Sequence, residues 1–516
     1  MNCTHRPVLC AFLFLCVLMP GSLAAQHQLL EQRWLETTTD NFVLYSQVSS
    51  RQTQRFADQL ENWRRVAADI MGRTAPFPKA SVPNYVYVFE NTENFEHFTR
   101  AAERAFFYRT PRSNFMALVL DDELSVRAAI HHYLHFLLRN YSDLRLPRWY
   151  EEGMAGYISR MQINGGKAEF ERFSRENNES LAELSTTFSM ERLLYRDAAL
   201  ASPRVVQIAN LKSEALLHFL KHAYEEEGFV DRRAQLQAYL DLLLEGRNHR
   251  FAFDRSFDIT TAQLDDEFHN YLLNSRRPAT TIAHSPLSEL PEWHTERISG
   301  GRLAVILGEL GLNSGAAENS QLFYQAAIDS GNEIARSYSG LGDALRFQDL
   351  EGRDQEIVGY MEAAVATAPE DPFILMDYGE YWESELQDCD KDYPENQRRL
   401  ILADIADHFE RALAIAPTSP EANLAMGQLY LFEERDWRSG ADYQRRAFAL
   451  LPADSFIMEQ AIKYAIAADE YEEAERLIDE MAQPIHTYGE PQFVSDLRLR
   501  LLRKRRNEPY DACAQD

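Results

Sequence analysis

The second half of this 516-residue chain repeats a small residue at one register. Gly308, Gly342, Gly379, Gly427 and Ala461 follow one another at spacings of 34, 37, 48 and 34 residues. Units of this length in series cannot bury a hydrophobic face alone, so they stack on their neighbours. We therefore predict a series of two-helix units in this part of the chain.

Three of these units also share an ending, an Ala-x-x-x-x-Pro pattern at 364–369, 412–417 and 447–452. The small residue lets the two helices of a unit approach each other, and the proline ends the second helix. A two-helix unit of about 34 residues with these features resembles the tetratricopeptide family. The resemblance implies an all-α tetratricopeptide solenoid over 299–516, whose concave groove holds a protein or peptide partner.

Residues 128–157 (AAIHHYLHFLLRNYSDLRLPRWYEEGMAGY) predict two short helices joined by a turn. His131 and His135 are four residues apart, so both imidazoles lie on one face of the first helix. The second helix carries Glu151 and Glu152. Two such histidines and one carboxylate from a neighbouring helix have the geometry of a three-ligand zinc site with one open position.

A second pair with the same spacing, His218 and His222, shows that the spacing alone is a weak signal. No carboxylate stands at an equally suggestive distance from this pair, so we interpret it as core or surface histidines. The first pair is flanked by apolar residues, which indicate a buried helix. Buried histidines need polar partners or a metal, and this favours a site at the first pair.

The stretch at 128–157 resembles the gluzincin metallopeptidases, in particular the peptidase-MA-like proteins. These proteins carry His-Glu-x-x-His on one helix and Glu-Gly-x-Ala-Glu-Tyr on the next. The matching residues are His131, His135, Pro147, Trp149, Glu152, Gly153, Ala155 and Tyr157. The resemblance implies an α+β gluzincin-like domain over 26–275 with a small N-terminal sheet. It also implies that His131, His135 and Glu152 are zinc ligands.

Two positions depart from these motifs, because His132 and Gly156 stand where the family has glutamates. The first missing glutamate is the general base that takes a proton from metal-held water. His132 has a suitable unperturbed pKa of about 6.5, but a divalent cation beside it keeps the ring neutral. Glu151 is another substitute base, although it points about 100° around its helix from Glu152.

Three functions follow from this pattern. We favour an exported zinc-metallopeptidase-like protein that keeps its ligands, has lost its general base and acts through tetratricopeptide-mediated protein binding. One alternative is an active zinc-dependent peptidase that uses His132 or Glu151 as the base. The other alternative is a metal-free structural scaffold. The sequence does not decide whether the chain is an enzyme.

The N-terminus predicts export. An apolar run at 8–19 follows two basic residues and precedes a small-residue segment, which together are typical of a signal peptide over 1–25. Its removal leaves Cys389 and Cys513, which are too few for a disulfide scaffold. We therefore predict a periplasmic or secreted protein that is stabilised by an ordinary hydrophobic core.

Charge and hydropathy argue against two classes of partner. The net charge of -27 repels nucleic acid and anionic lipid. No run after the signal peptide approaches about 18 consecutive apolar residues, so we expect no membrane span there. The proline-containing segment at 276–298 has little periodicity and is predicted to be an interdomain linker.

The region before the histidine pair alternates between strand and helix patterns. The β-prone runs are 41–46, 85–89 and 114–120, and the helical patterns are 52–71 and 91–105. Ser125 is the predicted N-cap of the histidine-bearing helix.

Overall fold

The computed structural model describes residues 28–510 and Cys513, apart from gaps at 100–102, 142–145, 165–166, 171–174, 187, 196–201, 275–280, 284–291, 299, 349–351, 433–434 and 483–491. The predicted signal peptide at 1–25 lies outside the described residues. The described part is mostly helical, with a mixed sheet, a second small sheet and a helical C-terminal region. None of its helices combines the length and the apolar content that crossing a membrane requires.

Nine strands lie in the described residues. They are β1 (Leu35–Thr38), β2 (Val43–Ser46), β3 (Asn84–Phe89), β4 (Ala105–Arg109), β5 (Asn114–Val119), β6 (Met161–Asn164), β7 (Lys167–Phe170), β8 (Thr281–Ala283) and β9 (Thr295–Arg297). The larger sheet has the order β4-β5-β3-β2-β1-β9, and the smaller one has the order β6-β7-β8. The larger sheet is mixed, because β3 runs parallel to both β2 and β5 while the other pairs are antiparallel.

The helices of the N-terminal region surround these sheets. They are α1 (Ser50–Ile70), α2 (Thr92–Glu96), α3 (Glu123–Tyr141), α4 (Arg148–Ser159), α5 (Arg175–Thr186), α6 (Met190–Tyr195), α7 (Pro203–His222), α8 (Arg233–Leu244), α9 (His249–Ser256) and α10 (Thr261–Asn274). Helix α4 packs against both α3 and α7. It approaches α7 closely at Gly153, where an added Cβ would lie 2.8 Å from the carbonyl oxygen of Ser213.

The three predicted strands are confirmed as β2, β3 and β5, and the first predicted helix is confirmed as α1. The helix predicted over 91–105 ends at Glu96, residues 97–99 are not helical, and Ala105 begins β4, which pairs with β5; positions 100–102 lie outside the described residues. Pairing with a neighbouring strand outweighs the local helical pattern there.

The predicted N-cap at Ser125 is also wrong. Helix α3 begins two residues earlier, at Glu123, and the Asp122 carboxylate accepts a hydrogen bond from the Leu124 N–H at 3.0 Å. The Ser125 hydroxyl instead donates to the carbonyl of Arg104 and accepts from the Val119 N–H. It therefore ties the first turn of α3 to the end of β5.

The C-terminal region consists of consecutive helices. They are α11 (Gly300–Ser314), α12 (Ala317–Ser330), α13 (Ile334–Phe347), α14 (Asp354–Thr367), α15 (Pro372–Gln387), α16 (Glu395–Ile415), α17 (Pro420–Leu429), α18 (Trp437–Leu450), α19 (Ser455–Ala467), α20 (Tyr471–Met481) and α21 (Gln492–Arg505). Helices that follow one another along the chain pack together. Helices α14, α16 and α18 each end two residues before a proline, as the pattern predicted.

The predicted close approach at small residues is confirmed for three helix pairs. An added Cβ on each glycine would collide with a large side chain of the next helix, in the pairs Gly308 and Tyr324, Gly342 and Met361, and Gly379 and Phe409. Gly427 differs, because it faces Gln460 of α19 instead of the helix that follows it.

The segment at 276–298 contributes to both sheets. Strand β8 pairs with β7, and β9 pairs with β1. This segment therefore contains regular structure, which its three prolines did not indicate.

Cys389 and Cys513 form a disulfide with a Cα–Cα distance of 5.4 Å. The sequence predicted no disulfide scaffold, and this single bond links the turn after α15 to the residues beyond α21. The two cysteines are 124 residues apart, so the bond closes a long loop. Closing a long loop removes conformational entropy from the unfolded chain, so the bond stabilises the helical region.

We expect the paired substitutions Cys389→Ser and Cys513→Ser to lower the free energy of unfolding by about 2–4 kcal/mol. Urea unfolding of the two proteins, followed by circular dichroism, measures this difference. Reductant should destabilise the unsubstituted chain and leave the double variant unchanged. Equal stability of the two proteins under oxidising conditions would contradict the expected contribution.

Candidate metal centre

Three side chains from α3 and α4 converge on one point. The Nε2 atoms of His131 and His135 lie 3.1 Å apart, one helical turn from each other on α3. Oε2 of Glu152 on α4 lies 3.4 Å from Nε2 of His131 and 3.9 Å from Nε2 of His135. The residues that the sequence predicted as metal ligands therefore form one cluster, with all three donor atoms within 4.8 Å of one another.

The separations of these donors fit a single small cation. A tetrahedral zinc ion lies about 2.0–2.2 Å from imidazole nitrogen and carboxylate oxygen, which puts two of its ligands about 3.3–3.6 Å apart. The separations of 3.1, 3.4 and 3.9 Å lie just below, within and just above that range. Two imidazoles and one carboxylate are also a donor set that zinc prefers.

A second layer of side chains holds the His135 ring. Oε1 of Glu151 lies 2.9 Å from Nδ1 of His135, and Arg139 donates to the same carboxylate from Nε at 2.8 Å. An ionised carboxylate only accepts hydrogen bonds, so Nδ1 carries the proton and Nε2 keeps its lone pair. That tautomer directs the lone pair towards His131 and Glu152.

Burial keeps the imidazole ring of His135 uncharged. Burial first, and then the charges of His131 and Arg139, lower the pKa of His135 well below its usual value. Glu152 is only 1% exposed, whereas the His131 side chain is 20% exposed. The cluster is therefore closed on the Glu152 side and is reached from solvent past His131.

Neither of the two predicted substitute bases, Glu151 and His132, belongs to the three-donor cluster. Glu151 contacts the far nitrogen of His135 and is engaged by Arg139, which suits an orienting residue better than a base. His132 is outside the three-donor group, with its ring centroid 5.8 Å from that of His131. Burial, and then His131, lower the pKa of His132 to about 4, so its ring is neutral at pH 7.

The second histidine pair has a different environment. Nδ1 of His218 lies 2.8 Å from the Tyr271 hydroxyl, and Nε2 of His222 lies 2.7 Å from the Tyr157 hydroxyl. Nδ1 of His222 also lies 3.1 Å from Oε1 of Glu225. These two rings are satisfied by side chains of the buried core, in agreement with the interpretation from sequence.

Sequence reasoning missed Glu214, which occupies the space beside Gly156. An added Cβ at Gly156 would lie 2.9 Å from Oε2 of Glu214. Glu214 is buried and forms ion pairs with Arg127 and Arg160. The only signal in the sequence was a charged residue inside an apolar stretch of α7. Gly156 therefore makes room for a carboxylate from another helix.

The comparisons with known proteins give a partial match. No family model matches this chain. Two curated relatives are the protein adenylyltransferase Fic of Drosophila persimilis and that of Drosophila pseudoobscura pseudoobscura. Each is 30% identical over 159 residues, which cover 28% of this chain and 28% of the relative. The chain thus spans less than a third of the length of these relatives.

This match contradicts the predicted function, an exported zinc-metallopeptidase-like protein that acts through tetratricopeptide-mediated binding. Both relatives are named as adenylyltransferases that act on proteins, and neither is named as a peptidase. The alternative of a peptidase that uses His132 or Glu151 falls with it. The prediction was wrong because it took the class of protein from short motifs that match their families incompletely.

We expect Gly156→Ala to destabilise the fold by about 1–3 kcal/mol, because the added methyl overpacks against Glu214. The ion pairs with Arg127 and Arg160 prevent Glu214 from moving away. In a Glu214→Ala background the same substitution should cost less, since the space is vacant. Urea unfolding of the four proteins gives the coupling energy. Equal costs in both backgrounds would show that Glu214 does not fill this space.

Proposed function

We propose that this chain binds one divalent metal ion through His131, His135 and Glu152. The observation that carries the proposal is the convergence of three donor atoms from two adjacent helices, with separations of 3.1, 3.4 and 3.9 Å. The orientation of His135 by Glu151 adds support, because metal-binding histidines usually donate their other N–H to a carboxylate or carbonyl. Zinc is the ion that this donor set favours.

A bound ion would join α3 to α4 at the centre of the N-terminal region. Zinc with three protein ligands keeps a further position for water or a small ligand, which it polarises. The proposal concerns binding and includes no peptide hydrolysis. The 20% exposure of the His131 side chain supports access to the ion from solvent.

We expect purified protein to bind one zinc ion per chain, measured by isothermal titration after treatment with a chelator. His135→Ala and Glu152→Ala should each remove this binding, since either leaves two protein ligands. His218→Ala is the matched control, because it removes a histidine from the same spacing in the other pair and should leave binding unchanged. Failure of the unsubstituted chain to take up zinc, or equal binding by Glu152→Ala, would overturn the proposal.

We expect Glu151→Gln to weaken zinc binding about 10–100-fold while the three ligands remain. The amide no longer enforces the Nδ1–H tautomer of His135 and no longer neutralises Arg139. Glu225→Gln is the control, because Glu225 makes the equivalent contact with His222. If both substitutions changed zinc affinity equally, the role assigned to Glu151 would be wrong.

We also infer that the C-terminal helices are tetratricopeptide-type repeats and that the N-terminal region has a gluzincin-like fold without the activity of that family. The glycine contacts within three helix pairs support the first inference. A mixed sheet followed by the ligand-bearing helices α3 and α4 supports the second. An experimental structure compared with representatives of both families tests these assignments.

We infer that the protein works outside the reducing cytosol. The disulfide between Cys389 and Cys513 supports this localisation, because such bonds persist in oxidising compartments. Fractionation of cells that express the full chain tests the inference. Recovery of the protein with cytosolic markers, with both thiols free, would contradict it.

Adenylyl transfer to a protein is a second candidate function, and the match to the two Fic proteins favours it. It rests on 159 aligned residues and not on the metal centre. Incubation of the chain with ATP labelled in the adenylyl group, followed by separation of the proteins, tests it. Labelling that survives Glu152→Ala would separate this activity from the metal ion, and absence of labelling would remove the candidate.

A further inference from the structure

Arg112, in the loop between β4 and β5, contacts two of the C-terminal helices. Arg112 donates from Nη2 to Oδ1 of Asp377 on α15 and from Nε to Oε1 of Glu421 on α17, both at 2.6 Å. Its guanidinium carbon lies 5.3 Å from the centre of the Phe373 ring. Two helices of the C-terminal region thus bind a guanidinium that belongs to the N-terminal region.

The contacts select a guanidinium over other cations. The two carboxylates bind different nitrogens of one planar group, and the aromatic ring faces that plane. A lysine ammonium is a compact point charge and does not present this fork or stack in the same way. Asp377 and Glu421 are largely buried, so they need a cation that satisfies both at once.

The backbone of the loop does not depend on these helices. Its turn is closed internally, because the Thr110 N–H donates to the carbonyl of Ser113 and the Thr110 hydroxyl accepts from two N–H groups of the loop. Among the hydrogen bonds of the described residues, those of the backbone at 110–113 stay within the turn. Arg112 can therefore leave the helices without breaking a backbone hydrogen bond.

A cavity of about 440 Å³ lies beside the Arg112 guanidinium. It is lined by helices α11, α13, α15, α17 and α19 on one side and by loops of the larger sheet on the other. Two further carboxylates, Glu309 and Glu380, line it and form no side-chain hydrogen bond or ion pair with the described residues. The Arg112 side chain is 28% exposed, so the cavity gives an incoming group access to its position.

We propose that Asp377, Glu421 and Phe373 form an arginine-recognition site, which Arg112 masks and which accepts an arginine side chain of a partner polypeptide when Arg112 leaves. The cavity accommodates the residues next to the incoming arginine. This site is separate from the metal centre and does not depend on it.

The test uses the full chain and a blocked tripeptide, acetyl-Gly-Arg-Gly-amide, with the citrulline analogue as the uncharged control. Isothermal titration should show that Arg112→Ala binds the arginine peptide at least about ten times more tightly than the unsubstituted chain, because the competing guanidinium is gone. The citrulline peptide should not bind. Adding Asp377→Asn to Arg112→Ala should abolish the gain. No gain on Arg112→Ala, or a gain that survives Asp377→Asn, would overturn the proposal.

A second measurement does not depend on the folding of Arg112→Ala. A ligand that binds only the folded protein raises its melting temperature as its concentration rises. At millimolar concentration the arginine peptide should raise the melting temperature of the unsubstituted chain more than the citrulline peptide does. Glu421→Gln should reduce this difference, and equal shifts from both peptides would contradict the site.

Discussion

The contact between Glu151 and His135 fixes the orientation of the buried histidine ring in the three-donor cluster. The carboxylate fixes the proton on Nδ1, and Arg139 holds the carboxylate in turn. Because burial keeps the His135 ring neutral, its Nε2 lone pair is directed at the space shared with His131 and Glu152. Without this orientation, the same three residues would still lie close together, but the Nε2 lone pair of His135 would not point at the space between His131 and Glu152.

Comparison of the two histidine pairs shows why spacing alone does not define a site. In each pair the two histidines are one helical turn apart on a largely buried helix. The first pair faces the carboxylate of Glu152 across a helix interface, whereas His218 faces the hydroxyl of Tyr271. The rings of His218 and His222 are satisfied by the hydroxyls of Tyr271 and Tyr157. The chemistry of a pair is therefore decided by the neighbouring helix, because that helix supplies either a ligand or a hydrogen-bond partner.

The sequence predicted the parts of the fold and site that depend on local periodicity. The three-donor cluster followed from the four-residue spacing on α3 and the position of Glu152 on α4, together with the family resemblance. The orienting role of Glu151 and the insertion of Glu214 beside Gly156 depend on contacts between residues far apart in sequence. No local pattern encodes such contacts.

Errors in the fold have the same origin. The helical pattern predicted over 91–105 gave no sign of β4, which forms at the sheet edge because β5 offers it a partner. The strands β8 and β9 form within a proline-containing segment because each completes an existing sheet. Pairing of this kind is available only after distant strands have met, so propensity could not predict it.

The predicted boundary near residue 299 does not separate two independent cores. Phe98, before α3, stacks on Phe323 of α12 with ring centroids 5.8 Å apart, and both belong to one buried cluster that also contains Leu303 and Leu307. The Tyr87 hydroxyl donates to the carbonyl of Ile306 within the same interface. Cutting the chain there would expose this apolar surface on both pieces. The helical region is therefore fixed against the sheet, and this contact brings the Arg112 loop to α15 and α17.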